Sequence, residues 1–339
     1  MSGATARDPG DTITVLLGRG RRLAKLIEAD GTIVGYDSAR TFDLEEQQIA
    51  DLDALRGLLD RLLGQPDRCA VRGRIADPAR TRGVRRLIRP DPETGEEATL
   101  IDVPRRWCAL DIDGLERPRN IAAADIFDCG IEAVMHLPTP FRGAGCVVQA
   151  SASHGLKPGL RLRLWFRLSR PTTGAELRFW LRNVPADPAI FSAAQIIYTA
   201  APVFAGGRAD PLPRRITELP GGDLVTVPDP AALRAPPPPP PRPLPAPGDT
   251  RAARYAAAAL RNETTRIALA PIGSRHAEIV RAARALGRFA AGGLLAESDV
   301  RQAIVDAAAL AGKDAAEAEA AFAWAFAHPS AAPLPECAR

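Results

Sequence analysis

A proline-rich tract between residues 228 and 249 divides the chain into two segments with different patterns. It includes six consecutive prolines at 236–241. Proline lacks a backbone N–H and has a fixed φ, so the tract favours an extended polyproline II spacer and excludes a helix or a central strand. A ligand for an SH3-type domain is the alternative interpretation. We expect the residues on either side to fold as separate domains.

The segment before the tract has the patterns of strands and helices, and the segment after it has only those of helices. Residues 250–328 are rich in alanine, with helical periodicity and breaks near 271–273, 292–293 and 312. They predict a bundle of three or four helices after an α+β segment. Strands are predicted over 12–17, 32–36, 69–75, 106–113, 145–152, 160–168 and 195–200, and helices over 44–64, 120–136 and from a capping box at 173–176 to about Val184.

The composition is that of a globular protein, with 46 % hydrophobic and 25 % charged residues among 339. No apolar run approaches 18 residues, and the five cysteines form no CxxC pair, so we expect a cytoplasmic protein with no membrane span and no zinc ribbon. Arginine accounts for 41 of the 44 basic residues, which the codon bias of a GC-rich genome would explain. Local excesses of positive charge at 61–90 and 160–182 suit a phosphate-rich partner, although solvated surface is the alternative.

The strongest local pattern is WCALDIDG at 107–114. Side chains alternate between the faces of a strand, so Leu110 and Ile112 would point towards a core. Asp111 and Asp113 would share the other face, where two carboxylates repel each other unless a cation neutralises them. Mg²⁺ and Mn²⁺ prefer such oxygen ligands. The pattern predicts a metal-binding strand, and a strand end running into a solvated turn is the alternative.

Residues 160–168 alternate between apolar and mostly basic positions. A row of arginines on one face of a sheet is costly to leave unmatched, and a polyphosphate would match it. An outer sheet face with salt bridges is the alternative. One face carries Leu160, Leu162, Leu164, Phe166 and Leu168, and the other carries Arg161, Arg163, Trp165 and Arg167.

The loop before this strand and the strand before the loop add further polar groups. His154 and Lys157 lie in the loop and are two more candidate hydrogen-bond donors to phosphate. For His154, a surface histidine without a role in binding is an equally good interpretation. The preceding strand places on one face the side chains of Gln149, Ser151 and Ser153.

Asp187 comes after a predicted helix in the sequence VPADP. An Asp-Pro pair commonly begins a turn, and this alone would explain the residue. Its place in the order, after an Asp-x-Asp strand and a strand that ends in small residues and a histidine, makes it a candidate third carboxylate.

This ordered set resembles the catalytic core of the archaeo-eukaryotic primase superfamily, particularly the primase-polymerases of phages, plasmids and integrated elements. The resemblance covers about residues 100–225. The hydrophobic-Asp-hydrophobic-Asp motif of the superfamily is matched at 110–113, its small-x-His motif at 152–154, and its hydrophobic-Asp motif at 186–187. Residues 195–202 also resemble the segment immediately after the third motif in mobile-element members.

The resemblance implies an RRM-like primase catalytic core with a mostly antiparallel sheet, followed by a small all-α bundle. The sequence after the tract is similar to the helical domain that often accompanies such cores, at 261–262, 282–287 and 291–295. The implied domains are an N-terminal α+β part of the primase module at 1–99, the catalytic core at 100–227, a proline-rich linker at 228–249 and the C-terminal helical bundle at 250–330.

The implied function is that of a DNA primase/polymerase, a nucleotidyltransferase that makes primers on single-stranded DNA from NTPs or dNTPs with Mg²⁺ or Mn²⁺. It would serve the replication of a phage, plasmid or integrated element, with residues 61–90 following the template backbone. No Walker A sequence is present, so a replicative helicase would be a separate partner. The implied catalytic residues are Asp111, Asp113, Asp187 and His154, with the three aspartates as metal ligands, and the implied nucleotide ligands are Ser151, Ser153, His154, Arg161 and Arg163.

The histidine of the small-x-His motif departs from the pattern of the superfamily. In many members it lies within a strand, whereas His154 stands where a strand gives way to a loop, so Arg163 of the next strand is the alternative phosphate ligand. Two other classes of function also stay open. One is a non-catalytic replication protein that binds single-stranded nucleic acid, and the other is a metal-dependent nuclease that uses the same carboxylates.

Overall fold

The computed structural model describes residues 11–91, 93–234, 250–271 and 274–328. Contacts divide the chain into two compact units, one ending at residue 235 and one beginning at residue 236. The predicted segments 1–99 and 100–227 thus lie together in the first unit. The division falls inside the proline-rich tract, most of which, at 235–249, lies outside the described residues.

The described part of the first unit is mainly β-structure. We number its strands in chain order as β1 (Asp11–Leu17), β2 (Leu26–Ile27), β3 (Ile33–Val34), β4 (Asp43–Ile49), β5 (Arg68–Val71), β6 (Arg74–Ile75), β7 (Leu100–Ile101), β8 (Arg105–Leu115), β9 (Cys146–Ala150), β10 (Leu160–Thr172), β11 (Val203–Phe204) and β12 (Ile216–Leu219).

These strands form two main antiparallel sheets. The central sheet has the order β12-β9-β10-β8, and the N-terminal sheet has the order β4-β1-β5. The short strands form a β11-β2-β3 sheet, in which β11 and β2 are parallel, and a β6-β7 pair. The predicted α+β class with mostly antiparallel sheets is therefore confirmed.

The alternation that predicts β10 places Leu160, Leu162 and Leu164 in the main core, where each is fully buried. Burial of a side chain of this size contributes about 1.5–3 kcal/mol. The opposite face is also covered, because Trp165 is fully buried and Arg163 is 6 % exposed. The arginine row therefore does not lie on an outer sheet face.

The helix predicted over 44–64 is wrong in its first part. Residues Asp43–Ile49 form β4, which pairs with β1 along its whole length. The Glu- and Gln-rich sequence of β4 has a local helical preference that this pairing overrides. Helix α1 (Leu52–Leu63) begins only after Asp51, whose side chain accepts a hydrogen bond of 2.7 Å from the Ala54 N–H.

The remaining helices of the first unit are short. The capping box is confirmed, since Thr173 Oγ1 accepts from the Glu176 N–H at 3.1 Å and Glu176 accepts from the Thr173 N–H at 2.7 Å. The helix that it opens ends at Trp180 rather than near Val184. The described helices are α1 (Leu52–Leu63), α2 (Ile126–Met135), α3 (Thr139–Arg142), α4 (Gly174–Trp180) and a 3₁₀ turn at Pro188–Phe191.

The strand predicted over 195–200 is reduced to a single bridge. Ile197 exchanges two backbone hydrogen bonds, of 2.8 and 2.9 Å, with Ala70 of β5. The chain then continues into β11, where the Val203 N–H donates to the Lys25 carbonyl at 2.8 Å. This segment brings the N-terminal sheet and the β2-β3 region next to the arginine face of β10.

The described part of the second unit is a helical bundle, as predicted. Its interior is formed largely by alanines together with Leu260, Leu286, Ile304 and Phe322. No helix in the described ranges is both long and apolar enough to span a membrane. The four described helices are α5 (Arg251–Ala268), α6 (Arg275–Ala291), α7 (Glu297–Leu310) and α8 (Ala315–Phe326).

Candidate functional site

Asp111 and Asp113 lie on the same face of β8, as the strand alternation predicts. Leu110 and Ile112 between and beside them are fully buried in the core. The Asp113 side chain is 65 % exposed and the Asp111 side chain is 30 % exposed. Both carboxylates are therefore accessible to a ligand from solvent.

The register of β8 and β10 places an arginine opposite each aspartate. Arg163 faces Asp111 and Arg161 faces Asp113 in the antiparallel pairing. The Arg163 Nη2 lies 3.1 Å from Asp111 Oδ1, and Arg161 Nη1 forms an ion pair with Asp113 Oδ1. Each guanidinium thus supplies the positive charge that two neighbouring carboxylates require.

Arg163 is also held by the segment that crosses over this face. Its Nη1 donates to the Tyr198 carbonyl at 2.5 Å, whereas its buried Nε has no hydrogen-bond partner in the described structure. The buried hydroxyl of Thr199 also lacks a partner there. A buried donor without a partner costs about 1–3 kcal/mol, so a water or ligand atom at either group would be stabilising.

Gln149 continues the polar row on the next strand, since it pairs with Arg163 in the register of β9 and β10. Its Nε2 donates to the Thr199 carbonyl at 2.6 Å, and its Oε1 accepts from Trp165 Nε1 at 3.2 Å. The side chain is 2 % exposed. Gln149 therefore fixes residues 198–199 against the sheet, where they meet Arg163.

His154 is fully buried, and both of its ring nitrogens have partners. Nε2 lies 2.9 Å from the Ala123 carbonyl, and Nδ1 accepts from the Arg161 N–H at 3.2 Å. These partners place the proton on Nε2. Burial lowers the pKa of His154, although the hydrogen bond to Ala123 opposes the shift. In this conformation the imidazole positions the backbone of Arg161, and neither nitrogen is available to a phosphate.

Ser151 and Ser153 lie in the loop before β10, next to His154. The Ser151 N–H donates to the Arg161 carbonyl at 2.8 Å, and the Ser151 carbonyl accepts from Arg215 Nη1 at 3.0 Å. Ser153 is buried, and its carbonyl accepts from the Lys157 N–H at 3.0 Å. Backbone bonds therefore fix the loop beside the start of β10.

Asp187 lies next to Asp111 and contacts it through the backbone. Its N–H donates to the Asp111 carbonyl at 3.0 Å, while its side chain accepts from the Ala189 N–H at 2.9 Å and caps the 3₁₀ turn. Within the described ranges, no three His, Cys, Asp or Glu side chains are grouped so that they could hold a metal ion. The pair Asp111 and Asp113 fits a divalent ion in its oxygen donors and its exposure, and Asp187 is adjacent but used as a cap.

The region 61–90 is less available for a template than its charge predicts. Arg72 is buried and donates to backbone carbonyls, including that of Val103 at 3.3 Å. Arg82 pairs with Asp43, and Arg85 with Asp91. Much of this positive charge thus supports the fold of the first unit itself.

Sequence reasoning missed an aromatic and basic group beside the aspartates. Tyr36 and Tyr198 stack with ring centroids 3.4 Å apart and planes within 1°. The Lys25 Nζ lies 5.7 Å from the Tyr36 centroid. Burial raises the pKa of Tyr36 to about 12, and the charges of Arg163 and Asp111 also act on this pKa. The pairing of β2 with β11 that assembles this group is long-range, so local patterns do not reveal it.

The fold and site define an α+β protein whose central sheet presents two aspartates, each paired with an arginine. No family model and no solved structure matches this chain. A protein of Escherichia phage T5, described as a "Putative replication origin binding protein", is 27 % identical over 184 residues. The match covers 50 % of this chain and 19 % of the phage protein, which is about a fifth of that protein. The chain is therefore similar to a phage replication protein. This similarity gives no evidence for membership of the primase superfamily.

The state of His154 gives the first prediction. Its pKa lies below the ordinary value of 6.5, so the unfolded state takes up the proton more readily than the folded state. The contribution of His154 to stability is complete above the unfolded pKa and is lost as the pH falls below about 6.5. We expect the thermal midpoint of the wild type to fall between pH 7 and pH 5 by more than that of His154→Gln.

His136→Gln, which removes an exposed histidine at the end of α2, is the comparison variant for this measurement. Identical pH profiles for the wild type and His154→Gln would contradict the buried neutral ring.

Proposed function

We propose that this chain is a DNA-binding replication protein of a phage or related mobile element, and that it synthesises primers by nucleotidyl transfer. The similarity to the phage T5 protein supports the coarser role in replication. The order of the three sequence motifs supports the primase-polymerase chemistry. The observation that carries the proposal is the pair of accessible carboxylates on β8, with one arginine opposite each of them in register.

In the proposed reaction, the 3′-hydroxyl oxygen of a primer or first nucleotide attacks the α-phosphorus of a nucleoside triphosphate. A new phosphorus–oxygen bond forms, the bond between the α-phosphorus and the pyrophosphate oxygen breaks, and the hydroxyl proton passes to solvent water. Asp111 and Asp113 would hold Mg²⁺ or Mn²⁺, and Asp187 would join them if its side chain left the Ala189 N–H. Such ions supply Lewis-acid activation of the hydroxyl and stabilise the charge on the leaving oxygen.

The protein's own groups would bind and orient the triphosphate. Arg161 and Arg163 would exchange their carboxylate partners for phosphate oxygens, because phosphate oxygens, like carboxylate oxygens, accept strong charge-assisted hydrogen bonds from a guanidinium. His154 would hold the backbone of Arg161, and Ser151 and Ser153 would shape the loop beside it. The covered position of Arg163 would limit the access of water to its hydrogen bonds and so strengthen them.

A non-catalytic DNA-binding replication protein is the second candidate. The description of the phage T5 relative as an origin binding protein favours it. The lack of a three-residue metal cluster within the described ranges favours it as well. Such a protein would use its basic surface for DNA and keep the Arg–Asp pairs as structural contacts.

A primer-synthesis assay tests the proposal. Single-stranded DNA is incubated with the full chain, labelled NTPs or dNTPs, and Mg²⁺ or Mn²⁺. We expect labelled oligonucleotides that require template and divalent ion. DNA binding without synthesis would favour the second candidate, and template degradation would indicate a nuclease.

A further inference from the structure

Lysine is rare in this chain, and its placement is uneven. The sequence contains only Lys25, Lys157 and Lys313 among 44 basic residues. Lys313 pairs with Glu317 in the second unit. In contrast, neither Lys25 nor Lys157 has a carboxylate within salt-bridge distance in the part of the chain that the structure describes.

The backbone of Lys25 is fixed beside the candidate site. The neighbouring Ala24 is 1 % exposed, and the Lys25 carbonyl accepts a hydrogen bond from the Val203 N–H at 2.8 Å. Its ammonium group lies against the Tyr36 ring, which stacks on Tyr198. The Tyr198 carbonyl in turn accepts from Arg163. A continuous series of contacts therefore links Lys25 to the residue that pairs with Asp111.

The charges around Lys25 are consistent with its proximity to the site. Burial is the largest influence on the pKa of Lys25 and lowers it. The positive charges of Lys157 and Arg161 lower the pKa further, and the carboxylates of Asp113 and Asp111 raise it. The charges of these four side chains thus act on the ammonium group, although it forms a salt bridge with none of the carboxylates in the described ranges.

Positive charge exceeds negative charge within this group. Arg161 and Arg163 each pair with one of the two carboxylates, and the charges of Lys25 and Lys157 come in addition to these pairs. A half-buried ammonium without a counter-ion is unfavourable unless an anion joins it. Lysine binds phosphate as a compact point charge on a flexible stem, whereas arginine suits fixed bidentate geometry.

We propose that Lys25 is a phosphate ligand that, together with Lys157, binds the phosphates of a nucleoside triphosphate at this site. The inference rests on the proposed function for the identity of the ligand. The Lys25 ammonium group lies over the Tyr36 ring, which stacks on Tyr198, and the Tyr198 carbonyl accepts a hydrogen bond from Arg163. Lys25 is therefore a nucleotide-binding residue contributed by the N-terminal segment, outside the resemblance at 100–225.

Chemical labelling of the full chain tests this proposal, because there are only three lysines to map. Pyridoxal 5′-phosphate, followed by borohydride reduction, labels accessible lysines, and peptide mass spectrometry locates the label. We expect ATP or a dNTP, with divalent ion, to protect Lys25 and Lys157. Lys313 is the internal control and should be labelled equally with and without nucleotide. Labelling of Lys25 that nucleotide does not change would overturn the proposal.

Substitution gives the second readout. Lys25→Met should raise the Kd of a fluorescent nucleoside triphosphate by about tenfold to a hundredfold. Lys25→Arg should restore most of the affinity, and Lys313→Met should leave it unchanged. Thermal unfolding of each variant tests whether the fold is retained. A Lys25→Met protein that is folded and binds nucleotide with the wild-type Kd also overturns the proposal.

These measurements separate the inference from the proposed function. Protection of Lys25 in a protein that makes no primers would support the lysine site and contradict the primase chemistry. Primer synthesis by a protein whose Lys25 is neither protected nor needed for nucleotide affinity would support the primase chemistry and contradict the lysine site.

Discussion

We expect an Asp113→Asn protein to synthesise primers about a thousandfold more slowly than the wild type, or not at all. The loss of one carboxylate ligand removes several kcal/mol of stabilisation of the reacting phosphate, and each 1.36 kcal/mol is a factor of ten in rate. Asp113 is the better test position because its side chain is largely exposed. The substitution should therefore leave the unfolding midpoint and DNA binding close to those of the wild type.

Asp111→Asn should lose synthesis to the same extent but also lose stability. The Arg163 side chain is 8 % exposed and would be left without its carboxylate. Asp60→Asn, at an exposed position on α1, is the matched control for the removal of one negative charge. Normal synthesis by Asp113→Asn and Asp111→Asn would exclude the two aspartates as the metal-binding pair.

The second large effect concerns Arg163, whose substitution should change two affinities in opposite directions. Arg163→Gln should weaken the binding of nucleoside triphosphate by about tenfold to a hundredfold, because a charged donor to phosphate is lost. The same change should strengthen Mn²⁺ binding in the absence of nucleotide, because Asp111 no longer has a competing guanidinium. Titration calorimetry with each ligand alone measures both changes.

In the wild type, metal ion and nucleotide should each strengthen the binding of the other. The ion releases the guanidinium from Asp111, and the nucleotide then accepts it. Thermodynamic linkage requires the two effects to be equal. Arg163→Gln should reduce this coupling, and Arg119→Gln, at an exposed position beyond the end of β8, should retain it. Equal metal affinity in the wild type and Arg163→Gln would show that the Arg–Asp pair does not compete with the ion.

The sequence predicts the site best where the pattern that identifies a residue lies within a single strand. The alternation in 160–168 correctly separates Leu162 and Leu164 from Arg161 and Arg163. The pattern around Asp111 and Asp113 likewise identifies the face that they share. Both predictions depend only on the period of a strand, which the chain itself specifies.

Predictions that depend on distant partners are less successful. The strand at Asp43–Ile49 has a helix-favouring sequence, and only its pairing with β1 determines its structure. The buried position of His154 depends on Ala123, 31 residues earlier. The approach of Lys25 to the aspartates depends on β11, which lies far along the chain from it. No local pattern contains these contacts.

The cross-strand pairs also determine how the protein behaves when chelators are present. Two carboxylates on one strand face would destabilise the fold by repulsion if nothing opposed their charge. Here the counter-charges belong to the chain itself, since Arg161 and Arg163 are built into the neighbouring strand. We therefore expect the unfolding midpoint of the protein to be the same with and without EDTA. One metal-free preparation could then be divided among a series of divalent ions, and a difference between ions in the proposed primer synthesis would not come from a difference in folding.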